Sequence, residues 1–523
     1  MATPKEKFAE ALLTLKKLQE EGSAGIHTDE IPSRSQREIL LNNGFIKEVS
    51  KGWYISSNPS EAPGDTTSWY SCYWDFCTKF IRQKYKENWC LSADQSLMLH
   101  AGNWTLPTQL HLRSPKANNS PISFPHQTSL FNYRAELPAK ELMATINNIQ
   151  VYNLQAALVY STEGVYRAKP LDCRVALASI SDASELLPIL LDNGHSTISG
   201  RLAGAFRNIG RERIADQIID TMRQAGYDIR EDDPFQEKLQ IATSPRERSP
   251  FVNRIRLMWQ QMSEVIIKDF PKAPGVPADK KAYIKIVDEV YLTDAYHSLS
   301  IERYKVTPEL IAKVSSGEWD KDSSQQDRQQ KDAMAARGYF QAFQEVKKTL
   351  EKILQGENAG LQAEKDHQKW YRELFDPSVQ AGILKASELA GYRSHQVYIS
   401  SSKHVPLSIE AMRDAMPELF ELLQKEQHPE VRAVLGHYIF VFIHPYMDGN
   451  GRIGRFLMNT MLASGGYPWT VIPVEKRDEY MKSLETASVT GDISVFSKFI
   501  AFLVAENMKG KPVAQLPSKL IAS

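Results

Sequence analysis

Between His444 and Arg455 the chain reads His-Pro-Tyr-Met-Asp-Gly-Asn-Gly-Arg-Ile-Gly-Arg, which puts an imidazole, a carboxylate, a glycine-flanked amide and two guanidinium groups into one turn and one helix start. No other stretch is as dense in chemistry. Gly449, Asn450 and Gly451 can take backbone angles that a side chain forbids, where unpaired N–H groups and the positive end of a helix dipole face outward. That makes a phosphate cradle. Arg452 and Arg455 lie three residues apart, so both can project from one side of a helix and clamp a polyphosphate. Asp448 offers the hard oxygen that Mg²⁺ takes when it shares its shell with phosphates. His444 alone in the stretch has an ordinary pKa suited to a general base near neutrality.

Two elements must position these groups. Upstream, Val431 to Ile443 is an apolar run ending in Phe440, Val441, Phe442 and Ile443, so the motif emerges from a buried element. Downstream, Ile453, Phe456, Leu457, Met461 and Leu462 recur at helical spacing until Gly465-Gly466 and Pro468 stop the helix. Gly449, Gly451 and Gly454 also match the spacing of a dinucleotide-binding fingerprint, with Glu475 about 20 residues further on. Five residues, a proline and a charge among them, separate the apolar run from the first glycine, where a dinucleotide-binding turn follows its strand directly.

The stretch resembles the motif of the Fic (Fido) family, HPFx(D/E)GNGRxxR, with Tyr446 in place of the usual Phe. The resemblance implies transfer of AMP from ATP to a hydroxyl side chain of a target protein. His444 would deprotonate the acceptor, and Asp448 would hold Mg²⁺ on the α- and β-phosphates. Asn450 and the adjacent amides of Gly449 and Gly451 would bind the α-phosphate, Arg452 the β-phosphate and Arg455 the γ-phosphate. Upstream, Ser298 and Glu302 match the family's inhibitory motif (S/T)xxxE(G/N), although Arg303 stands where Gly or Asn is usual. A Glu302 carboxylate paired with Arg455 would remove the γ-phosphate clamp. Gly391 to Ile399 resembles in composition the family's β-hairpin flap, so Gln396, Val397 and Tyr398 are expected to meet the target backbone by strand pairing.

The whole chain has 523 residues, a length that suggests about three domains. Lysine plus arginine equals aspartate plus glutamate at 63 each, so no overall charge biases it toward nucleic acid or membrane. Four cysteines without metal-ligand spacing read as reduced thiols, and no stretch has the length and apolarity of a signal peptide or membrane span, which suits a cytoplasmic protein.

The expected fold is mostly α: a helical Fic domain over 236–508 with a β-hairpin flap, and a loose tail at 509–523. It is preceded by a winged helix-turn-helix over 1–60 and a mixed α+β region over 61–235. In the first of these, a helix from about Phe8 to Leu18, a short one at Thr28 to Ile31 and one capped by Ser33 precede strands at Phe45 to Val49 and Trp53 to Ile55. Arg34, Arg37 and Lys51 would be its DNA-facing residues, yet Thr28 to Ser56 carries four basic and four acidic side chains, so protein docking is an equal alternative. In the second region Val151-Tyr152 and Leu158 to Tyr160 read as strands, Trp69 to Trp89 as a core helix, and Arg201, Arg207, Arg211 and Arg213 as a candidate basic face. Together these regions resemble the AbiEi-type antitoxins and regulators. A DNA-binding regulator or antitoxin–toxin fusion with a signalling Fic activity, and an enzyme that removes AMP, are the alternative functions. The partners implied are ATP and a target Ser, Thr or Tyr hydroxyl, with DNA and a second copy of the chain as further candidates.

Overall fold

The strand Trp53–Ser56 shows how the first part of the chain is tied together. The computed structural model describes residues 3–62, 64–192, 194–235, 249–316, 327–389 and 391–517. Trp53–Ser56 is the central strand of an antiparallel sheet, flanked by Gly25–His27 and Ile46–Ser50. Successive strand residues face opposite ways. Tyr54 therefore packs with Ala11, Leu15, Ile31 and Leu40 of the N-terminal helices. Trp53 and Ile55 join a second core built on Trp69, Phe76 and Trp89. The segment expected over 1–60 thus shares its core with the region beyond it.

By packing, the chain falls into two units, Met1–Arg254 with Tyr398–Val405, and Ile255–Val397 with Pro406–Ser523. In the first, helices Pro4–Glu20 and Arg34–Asn42 and the three-residue turn Thr28–Glu30 cover the small sheet. Ser33 caps the second helix by accepting from the Gln36 N–H at 3.3 Å. The core helix Thr67–Tyr85 lies beside a four-stranded sheet in the order Cys90–Leu91, Gln109–Ser114, Thr128–Arg134, Ser120–Phe124, whose central pair is parallel. A separate hairpin, Met143–Ile146 with Ile149–Tyr152, turns at Asn147 and Asn148, whose positive φ of 48° and 65° suits asparagine.

Several expectations for this unit fail on local chemistry. Leu158 to Tyr160 is the end of a helix, Leu154–Tyr160, because the Asn153 side chain accepts from the Ala156 N–H at 2.8 Å and starts it. The four arginines make no basic face. Arg207 pairs with Asp216 and Glu231 at 2.7 Å each, Arg213 with Asp182 at 2.9 Å, Arg211 is buried, and Arg201 donates to the Ser161 carbonyl at 2.9 Å. Asp232-Asp233-Pro234, whose composition reads as a linker, is packed: Asn208 donates to Asp233 at 2.9 Å, and Phe235 next to it is buried beneath the Arg174 guanidinium. Of the second linker-like segment, Ser244 to Ser249, residues 244–248 lie outside the described residues. Tyr398–Val405 is held in this unit by the Thr67 and Ser400 hydroxyls at 3.0 Å and by the Leu106 N–H donating to the Lys403 carbonyl at 3.0 Å.

The described residues of the second unit form helices and connecting segments and no strand. Its centre is Pro429–Ile443, mostly apolar and buried except at Pro429, Arg432 and Val441, as a helix with little polar face must be. Asn450–Ser464 packs beside it, and Lys280–Ile301, Asp327–Leu354 and Ala359–Gln380 surround the pair. The polar stretch around Ser323 lies outside the described residues, and from Asp327 the chain is helix. The tail expected to be loose is fastened as far as its described residues go. Ala514 is buried, and the Gln515 carbonyl accepts from His297 Nε2 at 3.1 Å. The four cysteines are free and buried, and among the described residues no helix is long and apolar enough to cross a membrane.

In the helix Ser196–Asn208, a Cβ added at Gly200 would lie 1.9 Å from the Arg230 carbonyl oxygen. Helix propensity favours alanine there by roughly 1 kcal/mol, but a clash with backbone costs about 1–3 kcal/mol and should win. Gly200→Ala is expected to lower the denaturant midpoint of the intact protein; an unchanged or raised midpoint contradicts the packing.

Candidate active site

The apolar helix Pro429–Ile443 ends at His444, whose backbone is left-handed at φ 57°, ψ 61°. That bend turns the ring back on the helix. Nδ1 lies 3.1 Å from the Val441 carbonyl, and since a carbonyl only accepts, Nδ1 carries the proton and Nε2 keeps its lone pair. Burial pushes the imidazole pKa down to about 4; the Val441 bond, Glu302 and Asp448 work the other way, and Arg393 adds to the fall. The ring is therefore a neutral base at physiological pH.

The turn that follows is braced from inside. Tyr446 is fully buried, its ring stacked on Tyr371 at 3.7 Å and 5°. The Asn450 amide accepts from the Tyr446 N–H at 2.9 Å and donates to the Tyr446 carbonyl at 2.8 Å. Its side chain braces the turn through Oδ1 and one Nδ2 hydrogen, which leaves the second Nδ2 hydrogen and the backbone N–H as the donors Asn450 could offer a ligand. Gly449 has φ 81°, and a Cβ there would lie 2.8 Å from the Phe375 ring, so conformation and space both require glycine. The helix Asn450–Ser464 starts with no side-chain cap, which leaves its first N–H groups without helical partners.

Arg455 is buried one turn into that helix. Its Nε donates to Ser298 Oγ at 2.9 Å, and its Nη2 donates to the Ser298 carbonyl at 3.1 Å and to Glu302 Oε1 at 2.7 Å. Burial opposes its charge, but Glu302, with Tyr480 and Tyr339, holds the guanidinium above its ordinary pKa. A Cβ at Gly451 would lie 2.4 Å from Glu302 Oε1, so only glycine lets an anion approach the helix start here. Nη1 of Arg455 is buried and without a partner among the described residues. So is Nε of Arg452. The Arg452 guanidinium is set between the rings of Tyr304 and Phe375, 5.1 and 4.9 Å from their centroids, and its Nη2 donates to Asp448 at 3.2 Å. Buried donors left unpaired are costly, and an acceptor-rich ligand would satisfy them.

Asp448 is 64 % exposed, with one oxygen accepting from the Gly449 N–H at 2.6 Å. One accessible carboxylate beside a phosphate cradle fits Mg²⁺, which takes one or two carboxylates and completes its shell with phosphates and water. Among the described residues there is no cluster of three or more ligating side chains.

Sequence reasoning missed three participants. Asp294, Ser298 and Glu302 are spaced four residues apart along the helix Lys280–Ile301 and its end, and buried Asp294 accepts from the Tyr339 hydroxyl at 2.7 Å. Burial lifts its carboxyl to about 6. The four-residue spacing from Ser298 was the signal available. Tyr304 became visible only through the approach of Arg452. Arg393 is buried and donates from Nε to the His444 carbonyl at 2.8 Å, from Nη1 to the His395 carbonyl at 3.0 Å, and from Nη2 to the Leu407 carbonyl.

The flap is not a hairpin. Described residues 391–408 form no strand pair, because the carbonyls at its two ends point to Arg393 instead of across to each other. Gln396 donates to the Pro406 carbonyl at 2.8 Å, Val397 follows it, and Tyr398 belongs to the first unit. Of the three expected DNA-facing residues, Arg34 pairs with Glu38 at 2.7 Å and Arg37 donates to the carbonyls of Thr28 and Ile31, while Lys51 is exposed.

A neutral imidazole, an uncapped helix start and two buried arginines with spare donors define a site for a polyphosphate and a proton-losing nucleophile. Residues 362–462 match the Fic/DOC family. The chain is 41% identical over 124 residues to the protein adenylyltransferase Fic of Drosophila mojavensis, covering 23% of this chain and 24% of that one. To the protein of the same name from Nematostella vectensis it is 28% identical over 264 residues, 50% of this chain and 57% of that one. The chain thus spans between about a quarter and somewhat over half of these relatives' length. Among solved structures, Fic-1 from C. elegans aligns with 20% identity, 66% of this chain, 98% of that one and a TM-score of 0.37. A Fic domain containing signaling protein from Bacteroides thetaiotaomicron aligns with 20% identity, 51% of this chain, all of that one and a TM-score of 0.35.

Arg303 follows Glu302 at φ 66°, where its N–H closes the helix end on the Ser300 carbonyl at 2.9 Å. A side chain in that conformation costs about 1–2 kcal/mol that glycine avoids. Arg303→Gly should raise the unfolding free energy read from the denaturant midpoint by roughly 1 kcal/mol; a fall would show that the Arg303 side chain supports the helix end.

Proposed function

We propose that the protein is an adenylyltransferase that moves AMP from ATP to a serine, threonine or tyrosine hydroxyl of a target protein or of itself. The observation that carries the reading is the neutral His444, its Nε2 free to accept, beside a helix start where Arg452 and Arg455 hold unpartnered buried donors. In this reaction the acceptor oxygen bonds the α-phosphorus, the α–β anhydride bond breaks, pyrophosphate leaves, and the hydroxyl proton passes to His444 Nε2. The first N–H groups of Asn450–Ser464 bind the α-phosphate, and Arg452 and Arg455 bind the phosphates beyond it. Asp448 would hold Mg²⁺, which when bound offsets the charge building on the leaving group.

In this reading Glu302 is an internal inhibitor. Its carboxylate occupies the Arg455 donor and the space beside Gly451 that a phosphate oxygen needs. The first unit serves target docking and not DNA reading. What supports that choice is that Arg37 is used on its own unit's carbonyls and Arg34 on Glu38.

Incubation with Mg²⁺ and α-labelled ATP tests the reading. A charge-assisted hydrogen bond of about 1.5–3 kcal/mol implies that Glu302→Gly labels itself or lysate proteins roughly ten- to a hundredfold faster than wild type. Adding His444→Ala should remove on the order of 10²–10⁴-fold; undiminished labelling would exclude the base. The pH dependence follows from the lowered imidazole pKa. The base stays neutral until pH falls towards 4, so kcat/KM of the Glu302→Gly form should be level from about pH 8 to about 6, and removing Glu302 can only move the limb lower. An acid limb centred near the ordinary imidazole value of about 6.5 would contradict the buried environment.

A further inference from the structure

Arg393 stands out as a buried cation whose guanidinium binds carbonyls, with no carboxylate against it among the described residues. Its partners are not neighbours in sequence. Nε holds the carbonyl of His444, the residue in the left-handed bend that aims the base. Nη1 and Nη2 hold the carbonyls of His395 and Leu407, one at each end of the loop that runs between them. Its own N–H donates to the Pro445 carbonyl at 2.8 Å, so backbone and side chain together bracket the peptide after His444.

We propose that Arg393 is a positioning residue that couples the backbone at His395 and Leu407 to His444, so that seating a target segment against those two ends and fixing the base for its hydroxyl are one event. The proposal rests on the adenylyl-transfer reading. Three carbonyls arriving from three directions require the planar fork of an arginine; a lysine nitrogen can satisfy one or two of them. Phosphate binding is separate, since none of the four Arg393 bonds reaches Asp448, Arg452 or Arg455. Losing Arg393 should therefore cost transfer and leave nucleotide affinity alone. The charged groups acting on His444 are Arg393, which favours the neutral ring, and Glu302 and Asp448, which favour the protonated one.

The test compares Glu302→Gly with Glu302→Gly/Arg393→Met and Glu302→Gly/Arg393→Lys. Self-labelling is followed with α-labelled ATP, and MgATP affinity is measured by titration calorimetry. Arg393→Met is expected to lower the labelling rate on the order of 10²-fold, as a misplacement of about 1 Å would. MgATP affinity should stay within about twofold, and the acid limb should move up toward the ordinary imidazole range. Arg393→Lys, which keeps the cation if the Met form does not fold, should fall between. Labelling at the parent rate in either variant overturns the proposal, and so does a parallel loss of MgATP affinity, which would mark a general structural role. A Glu302→Gly parent that transfers nothing from ATP removes the adenylyl-transfer reading itself.

Discussion

A guanidinium buried at a helix start needs an anion. Arg455 has its charge enclosed by protein, and the carboxylate set against it is that of Glu302. Breaking a buried ion pair typically costs about 3–5 kcal/mol, because the partner left behind is an uncompensated charge. Whatever displaces Glu302 must therefore bring negative charge to the same atoms. A triphosphate does, and most other ligands do not. The same contact joins Ser298 and Glu302, at the end of the helix Lys280–Ile301, to Asn450–Ser464.

The rest of the second unit keeps that exchange local. Glycines at 449 and 451 bring the helix start close to its neighbours, Phe375 on one side and Glu302 on the other. The Tyr446–Tyr371 stack and the Asn450 amide fix the turn without spending any group that a phosphate would need. Arg452 is set between two rings, which places its guanidinium before any ligand arrives. Tyr304 lies two residues beyond Glu302, so one helix end touches both arginines.

The candidate site was legible because it is contiguous. His444, Asp448, Gly449, Gly451, Arg452 and Arg455 lie within one turn and one helix, where spacing alone fixes their faces. Ser298 and Glu302 were found through the resemblance, and their bonds to Arg455 are now seen. The dinucleotide fingerprint at 449–454 failed for the reason visible in the chain: the apolar run before it is a helix ending in a left-handed histidine. Arg393 and Asp294 were missed because their importance depends on carbonyls and hydroxyls contributed by distant segments. Leu158 to Tyr160 was misassigned because apolar character outweighed a capping asparagine at 153. The flap was misassigned because composition cannot show that an arginine has taken the carbonyls at its ends.

The central claim is that Glu302 and the nucleotide's phosphates compete for one guanidinium. A crystal structure of Glu302→Gly soaked with Mg²⁺ and a non-hydrolysable ATP analogue tests it most directly. The account predicts a phosphate oxygen ~3 Å from Arg455, with the α-phosphate on the first N–H groups of Asn450–Ser464 and on the Nε2 side of His444. A triphosphate bound elsewhere, with Arg455 still satisfied only by Ser298, would contradict it.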